Sequence, residues 1–175
     1  MSRPDLSHLA HAQRVRVLMV CMGNICRSPT AQGILEQLVL GAGMAERIHI
    51  DSAGTHGYHI GKAPDARAQQ HALRRGVDLS AQRARQLVAR DFDQFDLILV
   101  MDEANERGAR ALATPRQNHK IFRLTEFCAS QGIVEVPDPY YGGADGFEKV
   151  LDLVEDACEG LMQKLKALLA NDKGL

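Results

Sequence analysis

Cysteine is scarce: the 175 residues hold four, at Cys21, Cys26, Cys128 and Cys158. Their number and scatter exclude a disulfide scaffold, which a chain with 45% hydrophobic content has no need of, and a reducing, cytoplasmic setting is the expectation. They do not make a zinc site either. Cys21 and Cys26 have no second Cys or His pair at ligand spacing, and the seven histidines are dispersed, so neither metal nor cofactor is expected. Long apolar runs are missing: residues 15–20 and 97–101 fall far short of the ~20 needed to cross a bilayer, and the polar N-terminus lacks a signal-peptide pattern. Charge of one sign is lacking as well. A formal net charge of −1 gives no global attraction for nucleic acid or an anionic membrane, so neither is an expected partner and affinity for a charged ligand must be local. Repeats, low-complexity blocks and linkers are also absent, which leaves one domain with one core.

What is present alternates. Residues 1–13 are polar and unpatterned and are expected to form a flexible leader, with the domain spanning 14–171. A continuous apolar run predicts a buried strand over 16–20, of the kind parallel sheets use. Ser28 as a capping hydroxyl and Pro29 in the first turn predict the start of a helix, followed by Ala31, Ile34, Leu35, Leu38 and Val39 at helical spacing. Strands over 47–51, 96–101 and 120–123 and helices over 64–75, 103–112 and 144–169 complete the pattern. It predicts a single-domain α/β layered fold whose central four-stranded parallel sheet carries helices on both faces. In such folds ligands bind at the carboxyl ends of the strands.

The first loop at such an end runs from Cys21 to Arg27, placing a Cys and an Arg with five residues between them at the junction of a strand and a helix. A loop of this length curls so that successive N–H groups point inward, and the helix behind it adds the positive end of its dipole. Gly23 and Asn24 tolerate the left-handed backbone that such a curl needs. The same N–H groups stabilise a thiolate, which makes Cys21 a nucleophile at neutral pH. Arg27 offers a planar fork for two phosphate oxygens, and the Ser28 hydroxyl can donate to the sulfur. A Walker-type loop is excluded, because its glycine, lysine and Ser/Thr pattern is missing. Asp138-Pro139 alone is an ordinary turn opener, but Tyr140 and Tyr141 beside it serve no core and could wall a cleft.

The run from Val20 to Ala31, Val-Cys-Met-Gly-Asn-Ile-Cys-Arg-Ser-Pro-Thr-Ala, closely resembles the signature of the low-molecular-weight protein tyrosine phosphatases. The similarity extends to Asp51-Ser52-Ala53-Gly54-Thr55, to Val100-Met101-Asp102 with Asn105, and to Asp138-Pro139-Tyr140-Tyr141-Gly142, in the family's order. The resemblance implies hydrolysis of protein phosphotyrosine through a cysteinyl-phosphate intermediate. It casts Cys21 as nucleophile, Arg27 as phosphate clamp, Ser28 as helper of the sulfur and Asp138 as general acid and base. Met22, Gly23, Asn24, Ile25, Cys26 and Arg27 would bind phosphate, and Asn24 would be braced by Ser52. Tyr58, Tyr140 and Tyr141 would flank the substrate ring. Cys26 either packs under the loop or, as in the family, pairs reversibly with the nucleophile. Phosphotyrosine proteins are the implied partners, with phosphate, vanadate and other oxyanions as inhibitors.

Two alternatives stand beside this. A protein-arginine phosphatase typically has threonine at the position of Ile25, and a catalytically silent phosphotyrosine-binding or redox-sensing module should lack either Cys21 or Asp138. Related arsenate reductases use further cysteines in mid-chain, and none lies between Cys26 and Cys128. The chain departs from many animal members at Arg75-Gly76-Val77, where those have a histidine, and its leader has no counterpart.

Overall fold

A computed structural model describes residues 3–140 and 142–170. Its centre is β1 (Val15–Cys21), followed by α1 (Arg27–Gly41), β2 (Ile48–Gly54), α2 (Ala66–Arg74), the short α3 (Asp91–Gln94), β3 (Leu97–Val100), α4 (Glu103–Leu112), β4 (Ile121–Arg123) and α5 (Ala144–Ala170). The four strands are parallel in the order β2-β1-β3-β4.

The continuous apolar runs divide by strand parity. Val15, Val17, Met19 and Cys21 of β1, with Leu97 and Leu99 of β3, join a cluster that includes Ile34 and Leu35 of α1 and Val154 and Leu161 of α5. Their neighbours Leu18, Val20, Ile98 and Val100 join a second cluster with Phe92 of α3 and Ala109 of α4. Successive side chains on a strand point to opposite faces, so a strand covered on both sides must be apolar throughout. Each such side chain contributes ~1.5–3 kcal/mol by leaving water. The expected α/β fold with both faces covered is therefore the observed one.

Three local expectations change. Leu6 and Leu9 are buried in the first cluster and a single turn spans Ser7–Leu9, so this part of the expected flexible leader packs on the domain. His8 Nε2 lies 2.8 Å from the Asp96 carbonyl, and the Arg47 guanidinium donates to the carbonyls of Gln13, Ala12 and Leu169. Two leucines three apart among polar residues make one turn's worth of contact, too little to register as a period. Strand β2 continues past residue 51 to Gly54, because Ser52, Ala53 and Gly54 pair with Met19, Val20 and Cys21. Ser28 does not cap α1: Cys26 holds that position with no side-chain cap, and the Ser28 hydroxyl is used elsewhere. Arg75 pairs with Glu148, Asp152 and Glu155 of α5, so it ties the end of α2 to that helix.

Candidate active site

Cys21 ends β1, Arg27 begins α1, and residues 22–26 bridge them at the carboxyl edge of the sheet. The loop's carbonyls are taken by neighbours outside it. Thr55 N–H donates to Cys21 O (2.9 Å), His56 N–H to Met22 O (3.0 Å), Asp65 N–H to Ile25 O (2.8 Å) and Thr30 Oγ1 to Cys26 O (2.7 Å). These four carbonyls are thus occupied, while no N–H from 22 to 26 donates to a protein acceptor among the described residues. This is the polarity of an anion cradle. Asn24 has φ 58°, the left-handed region that asparagine tolerates. Gly54 lets the loop approach: a Cβ there would lie 2.6 Å from Met22 O and 3.1 Å from Asn24 N.

Asn24, only 2% exposed, organises the hydrogen bonds beneath the loop. Its Oδ1 accepts from the backbone N–H of Arg85 (3.0 Å), which fixes the orientation of its amide. Its Nδ2 then donates to Ser28 Oγ (2.8 Å) and Ser52 Oγ (2.9 Å). Ser28 Oγ lies 3.0 Å from Cys21 Sγ, and once the thiol is ionised the sulfur can only accept, so the Ser28 hydroxyl is then the donor. The Arg85 guanidinium grips Asp51 and Asp91 at 3.1 Å, holding the segment that supplies this N–H against β2.

Arg27 is 3% exposed. One terminal nitrogen donates to Asp102 Oδ2 (2.6 Å) and to the Val136 carbonyl (3.1 Å), and the other lies 3.6 Å from Asp138 Oδ2. Burial works against the guanidinium charge. Cys21, Asp102 and Asp138 outweigh it and hold the group above its ordinary value. Asp102 is itself fixed, its Oδ1 accepting from Asn105 N–H (2.8 Å) at the start of α4. Asp138 Oδ1 accepts from Tyr140 N–H (3.0 Å), leaving Oδ2 toward Arg27. Cys26 is buried, and burial first, then Asp65, Cys21 and Asp138, raise its thiol well above the ordinary range.

The structure thus brings together Cys21, Arg27, Ser28, Asn24, Ser52 and Asp138. Met22, Gly23, Ile25 and Cys26 complete the loop, with Ile25 and Cys26 packed among Ala68, Ala84 and Phe147. The tyrosines are more dispersed. Tyr140 is 38% exposed with its ring beneath the Arg67 guanidinium (5.5 Å), whereas Tyr58 is 69% exposed and stacks on His56. Tyr141 lies outside the described residues. From the Tyr58 segment, His59 approaches the loop: a Cβ on Gly23 would be 3.0 Å from His59 Cδ2, and its ring is 6.4 Å from that of Tyr140. Asp102, Arg85 and His59 have no role in the sequence reading. Only Asp102 carried a signal, through the segment that ends on it. Among the described residues no group of three or more His, Cys, Asp or Glu could hold a metal ion, and no helix is long and apolar enough to cross a membrane.

Comparison with known proteins agrees with this geometry. The low molecular weight protein-tyrosine-phosphatase of Streptomyces coelicolor is 40% identical over 154 residues, covering 86% of this chain and 93% of that protein. The crystal structure of a protein tyrosine phosphatase from Entamoeba histolytica, with Hepes in the active site, superposes with a TM-score of 0.85 at 39% identity, covering 87% of this chain and 97% of that one. A Drosophila arginine phosphatase gives a TM-score of 0.80 at 33% identity, covering 86% and 97% of the two chains. The family model for low molecular weight phosphotyrosine protein phosphatase matches residues 16–171, and this chain belongs to that family.

Proposed function

We propose that the chain hydrolyses protein phosphotyrosine in two steps, with the phosphoryl group carried transiently on Cys21. The observation that carries this is the 3.0 Å contact of Ser28, itself held by Asn24, with Cys21 Sγ beside the buried Arg27. In the first step the Cys21 thiolate attacks phosphorus, an S–P bond forms and the P–O bond to tyrosine breaks. Asp138, protonated, gives its proton to the departing phenolate oxygen. In the second step water attacks phosphorus, the Asp138 carboxylate takes the water's proton and the S–P bond breaks. The Ser28 hydroxyl stabilises the returning thiolate, and inorganic phosphate leaves. Arg27 and the loop N–H groups hold the equatorial oxygens and gain strength as charge builds on them.

The loop treats phosphoryl groups alike, so selection falls to its surroundings. Tyr140 and His59 stand at the mouth, where a flat ring spans the depth between the protein surface and the sulfur and a serine side chain does not reach. Tyr58 and Tyr141 extend that wall on this reading. Phosphate and vanadate bind the same cradle as inhibitors, and the Hepes in the Entamoeba site carries a sulfonate, a tetrahedral oxyanion group like phosphate. Overall likeness does not separate phosphotyrosine from phosphoarginine, since the Drosophila arginine phosphatase shares the fold. The apolar Ile25, where arginine phosphatases have threonine, favours the aryl ester. Its packing with Ala68 and Phe147 makes the effect one of loop shape as well as of a missing hydroxyl.

The deciding experiment compares phosphotyrosine with phosphoarginine peptides, and the parent with Asp138→Asn across aryl phosphates of graded leaving group. Phosphotyrosine should be preferred, and the variant should lose about 10²- to 10⁴-fold on poor leaving groups and little on activated ones. A preference for phosphoarginine, or equal losses along the series, would overturn the assignment.

A further inference from the structure

The chain of hydrogen bonds behind the loop does not end at Ser52. Ser52 Oγ accepts from Asn24 Nδ2 (2.9 Å), so its own proton must go elsewhere, and it goes to Gln32 Oε1 at 2.6 Å. Gln32 lies on α1, and its side-chain oxygen is the acceptor that the Ser52 hydroxyl meets. The series runs from Arg85 N–H to Asn24, from Asn24 to both serines and from Ser52 to Gln32, with Ser28 Oγ against the Cys21 sulfur. Asn24, Ser28 and Ser52 are all buried, so no water makes good a lost partner cheaply.

We infer that Gln32 is a positioning residue for the nucleophile: by accepting the Ser52 proton it holds Ser52 Oγ toward Asn24, and so keeps the Asn24 amide donating to Ser28 beside Cys21. Without an acceptor at position 32, the buried Ser52 hydroxyl loses the partner that orients it and no longer holds the Asn24 amide in place beside Ser28. The effect falls on thiolate stabilisation and on breakdown of the S–P bond, while the loop N–H groups and Arg27 still bind phosphate.

This inference rests on the reading of Cys21 as nucleophile, so alkylation of Cys21 by iodoacetate and loss of turnover in Cys21→Ser are established first; failure there removes the mechanism itself. With those in hand, Gln32→Leu should lower both kcat for para-nitrophenyl phosphate and the rate of Cys21 alkylation at neutral pH by about tenfold, with KM and vanadate inhibition little changed. The exchanged pair Gln32→Glu with Glu36→Gln restores an acceptor facing Ser52 without setting two carboxylates one helical turn apart, and should recover most of both rates. Parent-like kcat and alkylation in Gln32→Leu overturn the inference. If that variant does not fold, the exchanged pair decides, because a folded pair with tenfold losses shows that an acceptor at position 32 is not what matters.

Discussion

Arg27 keeps a full charge at 3% exposure because Asp102, Val136 O and Asp138 surround it. Removing one partner of a buried ion pair strands the other, at a cost of about 3–5 kcal/mol where burial is complete and less where one partner, as here, is part-exposed. Asp102→Ala should therefore weaken competitive inhibition by phosphate and lower kcat/KM by roughly 10²-fold, since the guanidinium loses the anchor that aims it. Unchanged phosphate inhibition in that variant would mean that Val136 O and Asp138 suffice. The pairing of Cys21 with Arg27 is legible in the sequence because the cradle is built from consecutive residues. Asp102 is not, because a carboxylate opening a helix already has an explanation as an N-cap, and the 75 residues separating it from Arg27 are closed only by the sheet.

At the scale of elements, the loop depends on where β2 ends. Gly54 is paired with Cys21, and the segment after residue 84 bonds to it from the other side, Gly54 N–H donating to Arg85 O (2.9 Å) and Leu87 N–H to Gly54 O (2.7 Å). A methyl group at Gly54 meets loop backbone, which cannot swing aside as a side chain would. Gly54→Ala should displace Met22 and Asn24, destabilise the fold by about 1–3 kcal/mol and reduce kcat/KM more than stability alone explains. A crystal structure of the variant with the loop unmoved would contradict this. The long apolar runs of β1 and β3 and the periodic stripe of α5 were readable, since burial on both faces or along one stripe leaves a strong pattern. The end of β2 was not: Ser52, Ala53 and Gly54 are small because the loop packs on them, and small residues carry little strand signal. The turn at Leu6 and Leu9 was missed for lack of length.

For the molecule as a whole, buried thiols set an alkaline limit. Burial raises Cys26, Cys128 and Cys158 above the ordinary thiol value of 9.0, Cys128 to about 11. A folded-state value above the unfolded one means that the folded chain keeps protons the unfolded chain has released. The stability tied to these groups is fully present below pH 9.0 and is lost as pH rises toward their folded values. Denaturant midpoints should thus fall from about pH 9 upward, and Cys158→Ala, although it opens a small cavity, should flatten that fall. A slope identical to the parent's would place the alkaline loss on other groups. The sheet carries Cys21 to its carboxyl edge, where Arg27 from α1, Asp102 ahead of α4 and Asp138 ahead of α5 gather. Three strand-to-helix crossovers thus meet around one cysteine.

The central claim is that phosphate passes through Cys21, and rapid quenching tests it most directly. Ser28→Ala, which removes the hydroxyl proposed to help sulfur leave, should slow the second step and let the intermediate accumulate. Mixed with a phosphotyrosine peptide, quenched in acid and mapped by mass spectrometry, this variant should carry a phosphoryl group on the peptide containing Cys21, with a burst of free tyrosine peptide, and the Cys21→Ser variant should show neither. Turnover that proceeds with no phosphoryl group on Cys21 and no burst, or a phosphoryl group found on another residue, would contradict the account.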